Sequence, residues 1–192
     1  VYGSAAAQST ASLLGTVIML IVCAPFASKL AAKFGKKELA VASSICSALV
    51  WLVCLIWRPA SVWGFVACYI LANVGMGFFN TIIWAMITDV IDDAEVRSGI
   101  REDGTIYSVY SFARKLGQAF SSGLVGALLG IIGYTEATAF DPAVTRGIFN
   151  MACIAPIIGF VCIVLALVFL YPLNKKKVEE NVAALAARRN NK

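Results

Sequence analysis

There is no histidine in these 192 residues. Imidazole metal ligands and imidazole proton relays are therefore excluded. Charge is scarce too: Asp, Glu, Lys and Arg make up 14% of the chain, against roughly 25% in a soluble domain. The six cysteines, Cys23, Cys46, Cys54, Cys68, Cys153 and Cys162, fall singly among apolar residues, and no CxxC pair occurs. They read as small packing residues rather than as metal ligands. No P-loop, GxSxG or HExxH pattern is present, so the chain is not read as an enzyme and no cofactor is expected. Its first residues, Val1-Tyr2-Gly3, supply neither Met nor a charged leader. They read as the continuation of something longer rather than as a signal peptide.

What is abundant is apolar surface. Hydrophobic residues make up 60% of the chain, in continuous runs of roughly twenty residues or more. That pattern suits an all-α integral membrane protein with the lipid bilayer as its partner, not a barrel of short alternating strands. The net charge of +5 is not a nucleic-acid signal, because the bases cluster beside apolar runs.

About five spans are expected, near residues 9–30, 39–57, 62–90, 104–133 and 147–171. Residues 1–173 would then be one transmembrane bundle and 174–192 a basic cytoplasmic tail, either a surface amphipathic helix or disordered. In the first span Gln8, Ser12 and Thr16 form a thin polar stripe, and Pro25 is expected to kink its end. Gly126 and Gly130 make a GxxxG pair suited to close helix packing. Lys29, Lys33, Lys36 and Lys37 surround Gly35 in a basic hairpin that reads as a topology determinant. This hairpin, the central loop and the tail carry most bases, while the alternate side holds only Arg58 and Arg146. The basic side is therefore expected to be cytoplasmic, with the N-terminus outside and the C-terminus inside.

One stretch between two spans, residues 89–115, holds six of the chain's 11 acids and four of its 16 bases. Its middle reads as a loop broken by Gly99 and Gly104. Lys115 lies about eleven residues past Gly104, roughly 16 Å along a helix and near the midplane of a ~30 Å core. Ser111, Gln118 and Ser122 share its face. Two readings follow: a cation facing a polar cavity, or a lysine snorkelling to the interface. Arg114 points to an adjacent stripe and is a candidate ion-pair partner. Asn80 and Trp84 lie on one face of the preceding span, as a sugar platform or as helix-packing groups. Asp89, Asp92 and Glu95 follow a helical spacing with Arg101 after the turn, as a cytoplasmic gate or a solvated loop.

The run DVIDDAEVRSGIREDGTIYSVYSFARKLG resembles a motif of the glycoside–pentoside–hexuronide:cation symporters, the melibiose-permease-like branch of the major facilitator superfamily. That motif has the form D-x-x-D-[Y]-x-E-x-x-x-G-x-R-x-E-G-x-x-Y-S, with a lysine in the next helix. Asp89, Asp92, Glu95, Gly99, Arg101, Gly104, Tyr107, Ser108 and Lys115 match it; Asp103 stands where Glu is usual and Asp93 where Tyr is usual.

The resemblance implies a major-facilitator-type helical bundle, with this chain as the C-terminal half of a twelve-helix transporter in the cell (inner) membrane. It implies sugar or glycoside symport with Na⁺ or H⁺ by alternating access, the ion being held mostly by residues of a missing N-terminal helical bundle. It places Lys115 near the sugar and cation site, and Asp89, Asp92, Glu95 and Arg101 in an inner network that changes partners. The alternatives are the same fold carrying a lipid or a drug, and a non-transporting membrane scaffold or sensor.

Overall fold

The computed structural model describes residues 5–18, 21 and 23–190. Val1–Gly3, the side chain of Gln8 and Lys192 lie outside the described residues. The described chain is helical: α1 Ala5–Ile18, α2 Ala24–Phe34, α3 Lys36–Trp57, α4 Val62–Ser98, α5 Asp103–Ile132, α6 Pro142–Phe169 and α7 Lys175–Asn190. Among the described residues, α3, α4, α5 and α6 are long and apolar enough to cross a membrane. The expected first span, 9–30, covers α1 from Ser9 and the first part of α2, with residues 19, 20 and 22 between them outside the described residues. Pro25 sits in the first turn of α2, where its missing N–H would have no helical partner anyway.

Local chemistry sets the breaks. Gly35 alone separates α2 from α3, at φ 104°, a backbone that L side chains rarely adopt. Gly99 closes α4 at φ 77° and Gly133 closes α5 at φ 78°, both in the left-handed cap conformation. The α5 cap is a paired one: Gly133 N–H donates to Gly130 O and Tyr134 N–H to Leu129 O. Pro142 opens α6.

α4 is longer than its apolar run. It continues from the expected end near 90 to Ser98, so Asp92, Asp93, Glu95 and Arg97 are helical rather than looped. The Arg97–Asp93 ion pair at i, i+4, 2.7 Å, supports that extension. Only residues 99–102 connect α4 to α5.

α3 packs against both α4 and α6. One apolar cluster joins Trp51 and Cys54 of α3, Cys68 and Ala72 of α4, and Phe149, Cys153 and Phe160 of α6. A second joins Ala27, Ala40, Ile82, Met86 and Leu167 nearer the other end. The cysteines pack as free thiols, with Cys46 and Cys162 exposed and the others buried.

The tight glycine contact between helices is not at Gly126 and Gly130, which have nothing among the described residues within 4 Å of an added Cβ. It is at Gly75 of α4, where an added Cβ would meet the Ser47 hydroxyl and, at 2.5 Å, the Ser43 carbonyl of α3. Ser47 donates to Ala72 O across the same contact at 2.9 Å. Small residues here allow two backbones to touch and a hydroxyl to bridge them.

Candidate functional site

The charged end of the bundle is built from three separate arrangements. First, Asp89 lies on the buried side of α4, 4% exposed. Its Oδ1 accepts from Lys36 Nζ at 2.6 Å, and Lys36 also donates to Ala85 O. Lys36 opens α3, so the pair ties the start of that helix to α4. The second oxygen, Oδ2, has no hydrogen-bond partner among the described residues. A buried carboxylate of this kind depends heavily on its one cation.

Second, Arg101 gathers three acids. Its Nη1 reaches Asp92 Oδ1 and Glu95 Oε2, each at 2.8 Å, and its Nε reaches Asp103 Oδ2 at 2.9 Å. Asp92 and Glu95 are near-neighbours on one helical face, and the short 99–102 connection returns Arg101 to them. Asp92 first, then Glu95 and Asp103, hold the guanidinium even more firmly protonated than usual. The structure thus brings Asp92, Glu95 and Arg101 together and sets Asp89 apart with Lys36.

Third, the tail is a docked helix. Asn181 of α7 donates to Asp93 Oδ1 at 2.9 Å, with both residues buried. Arg188 donates to the carbonyls of Glu95 and Val96, in the last turn of α4, and Arg189 stands 3.8 Å from Glu95. Other basic side chains do the same at neighbouring helix ends: Lys175 donates to Lys33 O of α2, and Lys37 to Tyr171 O just past α6. Carbonyls left open at a helix C-terminus attract cations in this way. A cavity of about 320 Å³ remains between α4 and α7, lined by Thr88, Asp92, Arg101, Val182, Leu185, Ala186 and Arg189.

The second candidate region is the uncovered face of α5. Among the described residues of this helix none is buried. Ser111, Lys115 and Gln118 are all exposed, and Lys115 has no hydrogen bond or ion pair among the described residues. Trp84 meets Tyr110 edge-on, with ring centroids 5.4 Å apart, and Arg114 lies over its face at 5.7 Å. Arg114 therefore sits on an indole rather than in an ion pair, and Trp84 links α4 to α5. Asn80 is half-buried one turn earlier on α4. Elsewhere on α4, Thr81 and Thr88 donate to carbonyls of their own helix, as does Asn73.

Sequence reasoning missed Lys36, Asn181 and Arg188 as members of the inner cluster. Among the described residues no group of three or more acids and cysteines is placed to hold a metal ion.

Residues 1–175 match the family model described as MFS/sugar transport protein. The chain is 30% identical over 181 residues to a glucuronide carrier protein homolog of Escherichia coli K12, covering 93% of this chain and 38% of that protein. It is 32% identical over 165 residues to the uncharacterized symporter YjmB of Bacillus subtilis 168, covering 86% of this chain and 35% of that one. The chain spans somewhat more than a third of the length of these relatives.

Proposed function

The chain belongs to the MFS/sugar transport protein family, and from that membership we propose that it is part of a secondary active transporter moving a sugar or glycoside together with Na⁺ or H⁺. The observation that carries the reading is the uncovered polar face of α5. Lys115 stands near the middle of a 30-residue apolar helix, flanked by Ser111 and Gln118, exposed and with no hydrogen bond or ion pair among the described residues. An ammonium in hydrocarbon is costly, whereas one lining a wet cavity binds polar solutes. The rest of the full-length protein supplies the opposite wall, a further helical bundle, and most of the ligands of the coupling ion.

Transport follows by rocking of one bundle against the other around a midplane site. The Arg101 cluster lies at the foot of α5, where its ion pairs would break and re-form as the inner side opens. No step is enzymatic and no organic cofactor takes part. The α7 end, rich in Lys and Arg, is assigned to the cytoplasm of a cell (inner) membrane, with the N-terminus outside.

The test is solute uptake by the full-length protein in sealed vesicles under an imposed Na⁺ or H⁺ gradient. Saturable uptake of a sugar or glycoside that collapses with the gradient is the expected result. Gradient-independent flux, or flux of a lipid or drug instead, would overturn it.

A further inference from the structure

At the end of the bundle away from α7 stand two bases, Arg58 at the C-cap of α3 and Arg146 in the second turn of α6. They are far apart in sequence, yet both line one open cavity of about 340 Å³, with Pro59, Pro142, Thr145 and Phe149. Neither guanidinium has a hydrogen bond or ion pair among the described residues. The acids nearest in sequence, Glu136 and Asp141, do not line the cavity.

Arg58 also stands in an unusual backbone. It caps α3 at φ 48°, the one positive-φ residue other than glycine among those described. The neighbouring caps of α4 and α5 use glycine there. Retaining a long charged side chain in a left-handed position is a departure that points to a use for the side chain. The cavity also opens at the start of α6, whose Pro142 and Thr145 line it.

Depth decides what anion. Trp57 and Trp63 flank Arg58, 62% and 60% exposed. Exposed indoles at a helix end mark the headgroup level of a bilayer. A planar guanidinium pair suits phosphate oxygens in a bidentate arrangement. Two unpaired positive charges with no acid in the lining favour a headgroup of net negative charge over a zwitterionic one.

We propose that Arg58 at the end of α3 and Arg146 near the start of α6 form a binding site for the phosphate of an anionic phospholipid in the leaflet opposite α7. The inference rests on the chain spanning a bilayer and not on which solute is carried, so it survives a failure of the sugar reading.

The test uses the full-length protein, stripped of lipid in detergent. Retained lipids are counted by native mass spectrometry and the unfolding midpoint is followed. Three probes are added separately: dioleoylphosphatidylglycerol, dioleoylphosphatidylcholine and inorganic phosphate. Phosphatidylglycerol is expected to bind more tightly than phosphatidylcholine and to raise the midpoint more. Arg58→Gly with Arg146→Gln should weaken the tightest phosphatidylglycerol at least ~10-fold and leave phosphatidylcholine unchanged. Glycine suits the left-handed backbone at 58, and each single substitution, expected to weaken binding in part, guards against a misfolded double variant. Unchanged phosphatidylglycerol binding in all three variants would overturn the site. Equal stabilisation by inorganic phosphate would overturn the lipid as its ligand.

Discussion

Asn181 donates a 2.9 Å hydrogen bond to Asp93 across 88 residues of sequence, and both side chains are buried. Asp93 occupies the motif position where a tyrosine is usual. Its carboxylate is held by Arg97 on one oxygen and Asn181 on the other. The tail helix is thereby fixed to α4, and Arg188 reinforces it by covering the last carbonyls of that helix.

Removing the amide should loosen the tail. Asn181→Ala leaves a buried carboxylate oxygen without its donor, a loss of roughly 1–3 kcal/mol. The expected result is faster backbone hydrogen exchange over residues 178–190, with α3 and α6 unchanged. Asn181→Asp should loosen it further, since it sets a second carboxylate against Asp93. Unaltered exchange in both variants would show that Leu185 and the arginines hold the helix alone.

Lys36 is expected to matter more than any other lysine of its hairpin. Lys36→Met strands Asp89, whose second oxygen already lacks a partner. The cost should be about 3 kcal/mol in unfolding, because an isolated buried charge remains. Adding Asp89→Asn should recover much of it by removing that charge. A double variant no more stable than Lys36→Met would separate the two residues energetically and refute the pairing.

These two contacts also mark what was legible in the sequence. The helices α3 to α6 follow long apolar runs, and runs of that length leave little choice in a bilayer. The grouping of Asp92, Glu95 and Arg101 was legible because the three lie within 9 residues of one another, on one helical face and its turn. Lys36 and Asp89 are 53 residues apart, and a lysine beside a span looks the same whether it sets topology or neutralises an acid. The α4 extension was missed because hydropathy ends near Val90 while helix propensity does not; nothing stops the helix until Gly99. The polar composition of the tail does not reveal that Asn181 and Leu185 are buried.

Close packing gives a contrast between glycines. Gly75→Ala should destabilise the α3–α4 contact by roughly 1–3 kcal/mol, since the Ser43 carbonyl it meets is backbone and cannot turn aside. Gly126→Ala meets no atom of the described residues. Thermal unfolding of both variants checks the pair. A harmless Gly75→Ala would mean that α3 and α4 stand farther apart than described. A costly Gly126→Ala in the full-length protein would map where α5 packs against helices outside this chain.

Lys115 carries the sharpest prediction. It stands mid-helix on an exposed face, with no hydrogen bond or ion pair among the described residues. An ammonium at that depth needs hydroxyl or carboxylate partners, supplied by the solute or by the opposite wall. Lys115→Ala should therefore weaken substrate binding or cation coupling ~10-fold or more in the full-length protein. Stability should change by less than about 1 kcal/mol, because the side chain is exposed and makes no hydrogen bond or ion pair among the described residues. Lys115→Arg should rescue poorly, since a planar fork does not replace a compact point charge. Equilibrium substrate binding and gradient-driven uptake measure the two effects separately. If Lys115→Ala keeps wild-type affinity and coupling, the lysine snorkels to the interface and the open face of α5 serves only for packing.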